Sequence, residues 1–180
     1  VLGADHPDTL ASRNNLAYVY WSAGRFDEAI PLFEQTLASS ERVLGADNPN
    51  TLTSRGNLAY AYRSAGRLEQ AIPLYERNMA DRERVLGADH PDTLASRNNL
   101  AYVYWSAGRF DEAIPLFEQT LASSERVLGA DNPNTLTSRG NLAYAYRSAG
   151  RLEQAIPLYE RNMADRERVL GADHPDTLAS

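Results

Sequence analysis

The chain contains no cysteine and no lysine. The first absence excludes a disulfide framework and any thiolate metal site, and it leaves the redox compartment unmarked. The second makes all 18 basic residues arginine. Long apolar runs are missing too: the longest is Leu16 to Trp21, far short of the roughly 20 residues a membrane helix needs. No signal peptide or targeting tail is visible, so the expectation is a soluble, cytoplasmic protein with no membrane partner. Positive charge is outweighed, giving a net charge of -6 and a pI of about 5.1. A polyanion such as nucleic acid is therefore a disfavoured partner. What the sequence has in quantity is apolar residues, 43% of 180 positions, enough for a core of ordinary domain size.

The text repeats. Residues 85–180 reproduce residues 1–96 without one change, a period of 84, and within that period residues 1–42 and 43–84 agree at 27 of 42 positions. A fixed period of this length marks a repeat architecture. Neutral drift would have broken the identity at surface positions. The readings are a very recent duplication, an idealised or engineered array, or a window of a longer array, the last two being favoured.

One 42-residue repeat reads as two helices. Val1-Leu2-Gly3 is the tail of a preceding helix, with Gly3 just past its end. Ala4-Asp5-His6-Pro7 is the turn; Pro7 suits the first helical position with His6 as N-cap, and Asn48 before Pro49 is a better N-cap in the sister repeat. Asp8 places a negative charge at the positive end of the helix dipole. Helix A runs to about Ala23, with Leu10, Leu16, Ala17, Tyr20 and Ala23 at helical spacing, and Gly24 stops it. Helix B runs from about Phe26 to Leu44, its stripe being Ala29, Leu32, Phe33, Thr36, Leu37, Ser40, Val43 and Leu44. Pro31 conflicts with a helix interior at a cost of roughly 3 kcal/mol, so a late or bent start to each B helix is expected. Links of two or three residues make each pair an antiparallel hairpin. One pair cannot bury both its faces; stacking pairs buries a continuous core.

Leu16-Ala17, Tyr20, Gly24, Ala29 and Phe33, with Leu37 following, resemble the tetratricopeptide repeat signature of large, small, aromatic, glycine, alanine and aromatic positions. The usual repeat is about 34 residues. The added length, with Leu-Gly-x-Asp-His-Pro-x-Thr before helix A and Asn-Asn-Leu-Ala inside it, looks like the kinesin-light-chain type; similar repeats occur in bacterial proteins beside signalling NTPase domains. Thr36 and Asn78 depart from the pattern, where a small alanine is usual, so close packing of the B helices is an open point there. The resemblance implies an all-α, right-handed superhelical α-solenoid of stacked antiparallel helix pairs that binds peptides or proteins on its concave face. The lysine-rich carboxylate clamp of some members has no counterpart in a chain without lysine. The asparagine that holds the peptide backbone in light-chain-like repeats matches Asn15, Asn57, Asn99 and Asn141; an asparagine side chain offers both a donor and an acceptor to an amide.

Further helix-A positions complete the candidate groove. They are Asn14 or Gly56, then Tyr18, Trp21, Tyr60 and Arg63, with Tyr102, Trp105, Tyr144 and Arg147 as their copies 84 residues on. One reading is a groove of aromatic and cationic walls for an acidic peptide with apolar anchors, tryptophan and arginine being typical hot-spot residues. The plainer reading is packed aromatics, solvated arginines and asparagines that bond the neighbouring repeat. His6, His90 and His174 each stand alone in a turn, with no ligand partner at helical spacing, so no metal or catalytic role is expected. Asp27-Glu28, and Asp81 with Glu83, read as solvated faces, and Ser39-Ser40 and Ser123-Ser124 lack a base. Each glycine stands alone, so no phosphate-cradling loop exists. The expectation is no enzyme and no cofactor.

Residues 1–42 carry a net charge of -3 and residues 43–84 a net +1, so neighbouring repeats are mildly complementary. The chain opens and closes on Val-Leu-Gly-Ala-Asp-His-Pro with no polar capping repeat. Unlike, complementary ends make head-to-tail stacking the expected self-association. The sequence thus predicts a single solenoid over 1–180, with repeats at about 4–45, 46–87, 88–129 and 130–171 and a fifth helix A beginning within 172–180. The predicted function is a non-enzymatic scaffold that stacks end to end. The alternatives are a peptide-binding domain and the sensor portion of a bacterial signalling protein.

Overall fold

The computed structural model describes Gly3 and residues 5–171; the expected fifth helix A lies outside the described residues. Among those residues are eight helices and no strand. The A helices are α1 (Pro7–Ser22), α3 (Pro49–Ser64), α5 (Pro91–Ser106) and α7 (Pro133–Ser148). The B helices are α2 (Phe26–Leu44), α4 (Leu68–Leu86), α6 (Phe110–Leu128) and α8 (Leu152–Leu170). The chain gathers into two compact units, Val1–Ala88 and Asp89–Ser180. In the first, α1 packs on α2, α2 on α3 and α3 on α4; in the second, α5 packs on α6, α6 on α7 and α7 on α8. Each unit is therefore a stack of two helix hairpins, the α-solenoid arrangement of an all-α chain.

Local chemistry sets the helix ends. His6 Nδ1 accepts the Asp8 N–H at 3.2 Å, and Asn48 Oδ1 accepts the Asn50 N–H at 2.9 Å. Both satisfy a donor that the first turn leaves without an intrahelical partner. Gly24 (φ 73°) and Gly45 (φ 87°) adopt the left-handed region that reverses the chain after each helix. The B helices do not start late. α2 begins at Phe26, ahead of Pro31, and its ladder opens with Ala29 N–H donating to Arg25 O at 3.0 Å. Pro31 removes only the bond to the Asp27 carbonyl, and both residues are exposed, so water replaces the missing N–H.

The core lies between A and B helices. Ala17 of α1, Ala29 of α2, Ala59 of α3 and Ala71 of α4 have no accessible surface, and Ile30, Phe33 and Leu37 of α2 are buried as well. Three residues of the expected apolar stripes behave otherwise: Ala23 is exposed, and Leu16 and Val43 are each 47% exposed. Leu58, the counterpart of Leu16, is 5% exposed. Within the unit, α3 lies between α2 and α4 whereas α1 meets α2 alone, and that second neighbour decides the burial.

The two hairpins of a unit are not interchangeable. Thr36 and Asn78, which left B-helix packing open, are both buried. Where the first repeat carries Asn14, Thr36 and Ser40, the second carries Gly56, Asn78 and Arg82. A Cβ on Gly56 would sit 3.2 Å from Asn78 Nδ2. The glycine makes room for the larger B-helix side chain, a volume exchange across the A–B contact.

Candidate functional site

On the exposed face of the A helices, Tyr18, Trp21, Tyr60 and Arg63 form one continuous stack across α1 and α3. The rings of Tyr18 and Trp21 are 5.2 Å apart, those of Trp21 and Tyr60 5.1 Å, and the Arg63 guanidinium lies 4.6 Å over Tyr60. The second unit repeats it across α5 and α7. Tyr102 lies 5.3 Å from Trp105, Trp105 lies 5.0 Å from Tyr144, and Arg147 lies 4.7 Å over Tyr144. These tilted geometries are favourable for aromatic and cation–π pairs. The stack stays open to solvent, Tyr18 being 51% and Tyr60 36% exposed. The Nε1 atoms of Trp21 and Trp105 are shielded and have no hydrogen-bond acceptor among the described residues.

The asparagines divide into two kinds. Asn57 Nδ2 donates to Asn14 Oδ1 at 3.1 Å, and Asn141 Nδ2 to Asn98 Oδ1 at 3.0 Å, tying neighbouring A helices together. Asn15 and Asn99 are exposed on α1 and α5. Within each unit the structure joins the aromatic and arginine positions named from sequence into one stack, while Asn57 and Asn141 are half-buried structural links as well.

Sequence reasoning missed a buried cation. Arg55 has no accessible side-chain surface; its Nη1 donates to Asp81 at 2.6 Å and its Nη2 to Glu41 at 2.9 Å. This one guanidinium joins α2, α3 and α4. Arg139 makes the same bridge to Asp165 and Glu125. The available signal was spacing: Arg55 lies on the α3 face that carries Leu52 and Ala59. A second ladder runs along the loops, where Arg84 binds Asp47, Arg126 binds Asp89 and Arg168 binds Asp131. Hydrogen bonds from these arginines hold the three aspartates below the ordinary carboxylate range. Arg168, and then Arg139, hold Asp165 low against an opposing effect of burial. Burial, followed by the hydrogen bond to Glu34, pushes the Tyr62 phenol up to about 12, and Tyr146 with Glu118 behaves likewise.

Three cavities accompany these features. One of about 240 Å³ lies between α1, α2 and α3, and its counterpart of about 290 Å³ lies between α5, α6 and α7, lined by the same residues 84 positions on. A larger open depression of about 800 Å³ is lined by Tyr102, Tyr144, Arg147 and the α8 side chains Tyr159 and Asn162. Among the described residues no helix is long and apolar enough to cross a membrane, and no three histidine or carboxylate side chains gather as a metal site.

No curated protein matches this sequence. Among solved structures, a kinesin light chain-like protein of Podosopora anserina with nearly identical TPR-like repeats is 35% identical, with a TM-score of 0.86 over 97% of this chain and 82% of that one. BtubC (BKLC) from P. vanneervenii is 24% identical, with a TM-score of 0.81 over 93% of this chain and 66% of its own. The Rap protein complexed with Competence and Sporulation Factor shares the fold at 15% identity, with a TM-score of 0.72 over 99% of this chain and 52% of its own. The profile of the tetratricopeptide repeat family matches residues 8–78, 50–126, 98–167 and 138–180. With its paired helices, glycine-terminated turns and buried alanines, the chain belongs to the tetratricopeptide repeat family.

Proposed function

We propose that this chain is a non-catalytic interaction scaffold, a single solenoid of idealised repeats in a cytoplasmic setting, that binds an extended acidic peptide along the exposed face of its A helices. The observation that carries the reading is the unbroken Tyr18–Trp21–Tyr60–Arg63 stack, present again in the second unit. Its flat rings offer area at low conformational cost, and its arginine charge attracts a carboxylate. Asn15 and Asn99 stand ready on the same helices to bond a peptide backbone.

Both tryptophans of the chain lie in this surface, so their emission reports binding directly. Titration with an extended Glu/Asp-rich peptide bearing one aromatic anchor is expected to shift the emission, with micromolar affinity. Tyr60→Ala with Arg63→Glu, and the matching pair at Tyr144 and Arg147, removes binding. A basic peptide of equal length does not compete. Failure of acidic peptides to bind, or binding indifferent to these substitutions, overturns the reading.

A second reading is head-to-tail self-association. What favours it is α8, where Leu152 and Ile156 are 54% and Met163 47% exposed, while the matching α2 residues Ile30 and Leu37 are buried where α3 packs. An A helix of a second copy is the occupant this face suits. Sedimentation velocity over a wide concentration range tests it. Mass should rise in whole-chain steps and return to monomer in Ile156→Glu, Met163→Glu; a monomer throughout removes the idea.

A further inference from the structure

The paired cavities between helices are not explained by either reading, and their chemistry is specific. They are lined by Thr36 and Ser40, and by Thr120 and Ser124, at positions where the other repeats carry asparagine and arginine. No residue lining either cavity is ionisable. Pro7, Leu10, Ala11 and Leu44 provide apolar wall, and the other seven lining residues carry a hydroxyl or an amide. Thr36 is 3% exposed, and its Oγ1–H is spent on the Leu32 carbonyl at 2.8 Å, which leaves the oxygen's lone pairs as acceptors. Asn57 spends one N–H on Asn14 Oδ1. That leaves the Asn57 carbonyl oxygen as an acceptor and the Asn14 amide as a donor.

A charged occupant would meet no counter-charge and would lose its hydration. A purely apolar occupant would strip water from these acceptors and donors without replacing it. A neutral group carrying both donor and acceptor satisfies the wall. The volume is below the range of drug-sized pockets, about 300–1,000 Å³, and suits one side chain. In the second unit Thr137 and Asn141 line both this cavity and the open depression on the A-helix side, so an entry route from a bound peptide exists.

We propose that these cavities are specificity pockets for a carboxamide, contributed by a glutamine or asparagine side chain of the peptide held on the A-helix face. This rests on the peptide-binding reading. The test uses one acidic peptide with a central guest position, synthesised with Gln, Leu or Glu, and titrated against the intact chain. The Gln guest is expected to bind at least about ten-fold more tightly than the Glu guest, and several-fold more tightly than the Leu guest, which leaves the polar wall unpaired. Filling both cavities with Ser40→Leu and Ser124→Leu should abolish the preference while the peptide still binds. The near-isosteric Thr36→Val with Thr120→Val, which keeps the packing and removes one acceptor, should reduce it several-fold.

Equal affinity for the three guests, or a preference that survives the filled cavities, overturns the proposal and assigns the cavities to water. Propionamide alone, followed on the side-chain amide resonances of Asn57 and Asn141, separates the sources. Saturable shifts there with no acidic peptide binding would point to a free small amide and fail the groove reading. Peptide binding with no guest preference and no such shifts would fail this proposal and leave the groove reading standing.

Discussion

Arg55 shows how one residue fixes the order of three helices. Its charge is out of water and held by two carboxylates that keep partial contact with solvent. Removing the guanidinium takes the two short bonds from Asp81 and Glu41, leaving Asp81 with Arg84 at 3.1 Å and Glu41 with Arg77 at 3.8 Å, and opens a hole. Arg55→Ala is expected to cost about 3 kcal/mol, the low end for a broken buried ion pair, read by urea denaturation; a change below half that figure would mean that water already screens the bridge. Titration follows from the same contacts. Asp47, Asp89, Asp131 and Asp165 have native pKa values below their ordinary value. Their contribution is present above the unfolded carboxylate value, about 4, and is lost as pH falls through the native values. Tyr62 and Tyr146 lie at about 12 instead of 10, so their contribution is present below pH 10 and is lost as pH rises toward 12. Thermal melts from pH 2 to 12 should fall at both ends; a flat acid limb would show that the arginine ladder adds nothing.

Between elements, the volume exchange at the A–B contact makes a sharp prediction. Gly56→Asn puts the first repeat's side chain opposite Asn78 and should destabilise by about 2 kcal/mol, as overpacking does. Asn78→Thr should cost about 1 kcal/mol through the space it empties. Together they recreate the Asn14–Thr36 pairing, so the double variant should recover at least about 1 kcal/mol relative to the sum. Additive losses in the double-mutant cycle would show that the two positions do not sense each other. The helix boundaries were legible because Pro, His or Asn, and Gly recur at each end, where local hydrogen bonds decide. So was the start of helix B at Phe26; the effect of the proline on that start was not. Pro31 carries a local penalty, and its cost depends on whether the freed carbonyl meets water, which only the packed helix shows.

Across each whole unit, protection should follow the number of neighbouring helices. In the first unit α3 has B helices on both sides and α1 has one. Amide hydrogen exchange is therefore expected to be slower in α3 than in α1, although 11 of their 16 residues match in sequence. Equal protection would mean that the unit opens only as a whole. The repeat text by itself determined the class, the hairpins and the family, because glycine turns, proline starts and 3.6-residue apolar spacing act within one repeat. It also placed the aromatic and arginine positions on one helix face. Only the tertiary structure decided which copy of a residue is buried, as Leu16 and Leu58 show. It alone revealed that Arg55 is a buried bridge, that Asn57 is tied to Asn14, and that Thr36 and Ser40 leave a polar cavity. Each of these depends on the distance between side chains of different helices, which no spacing along the chain contains.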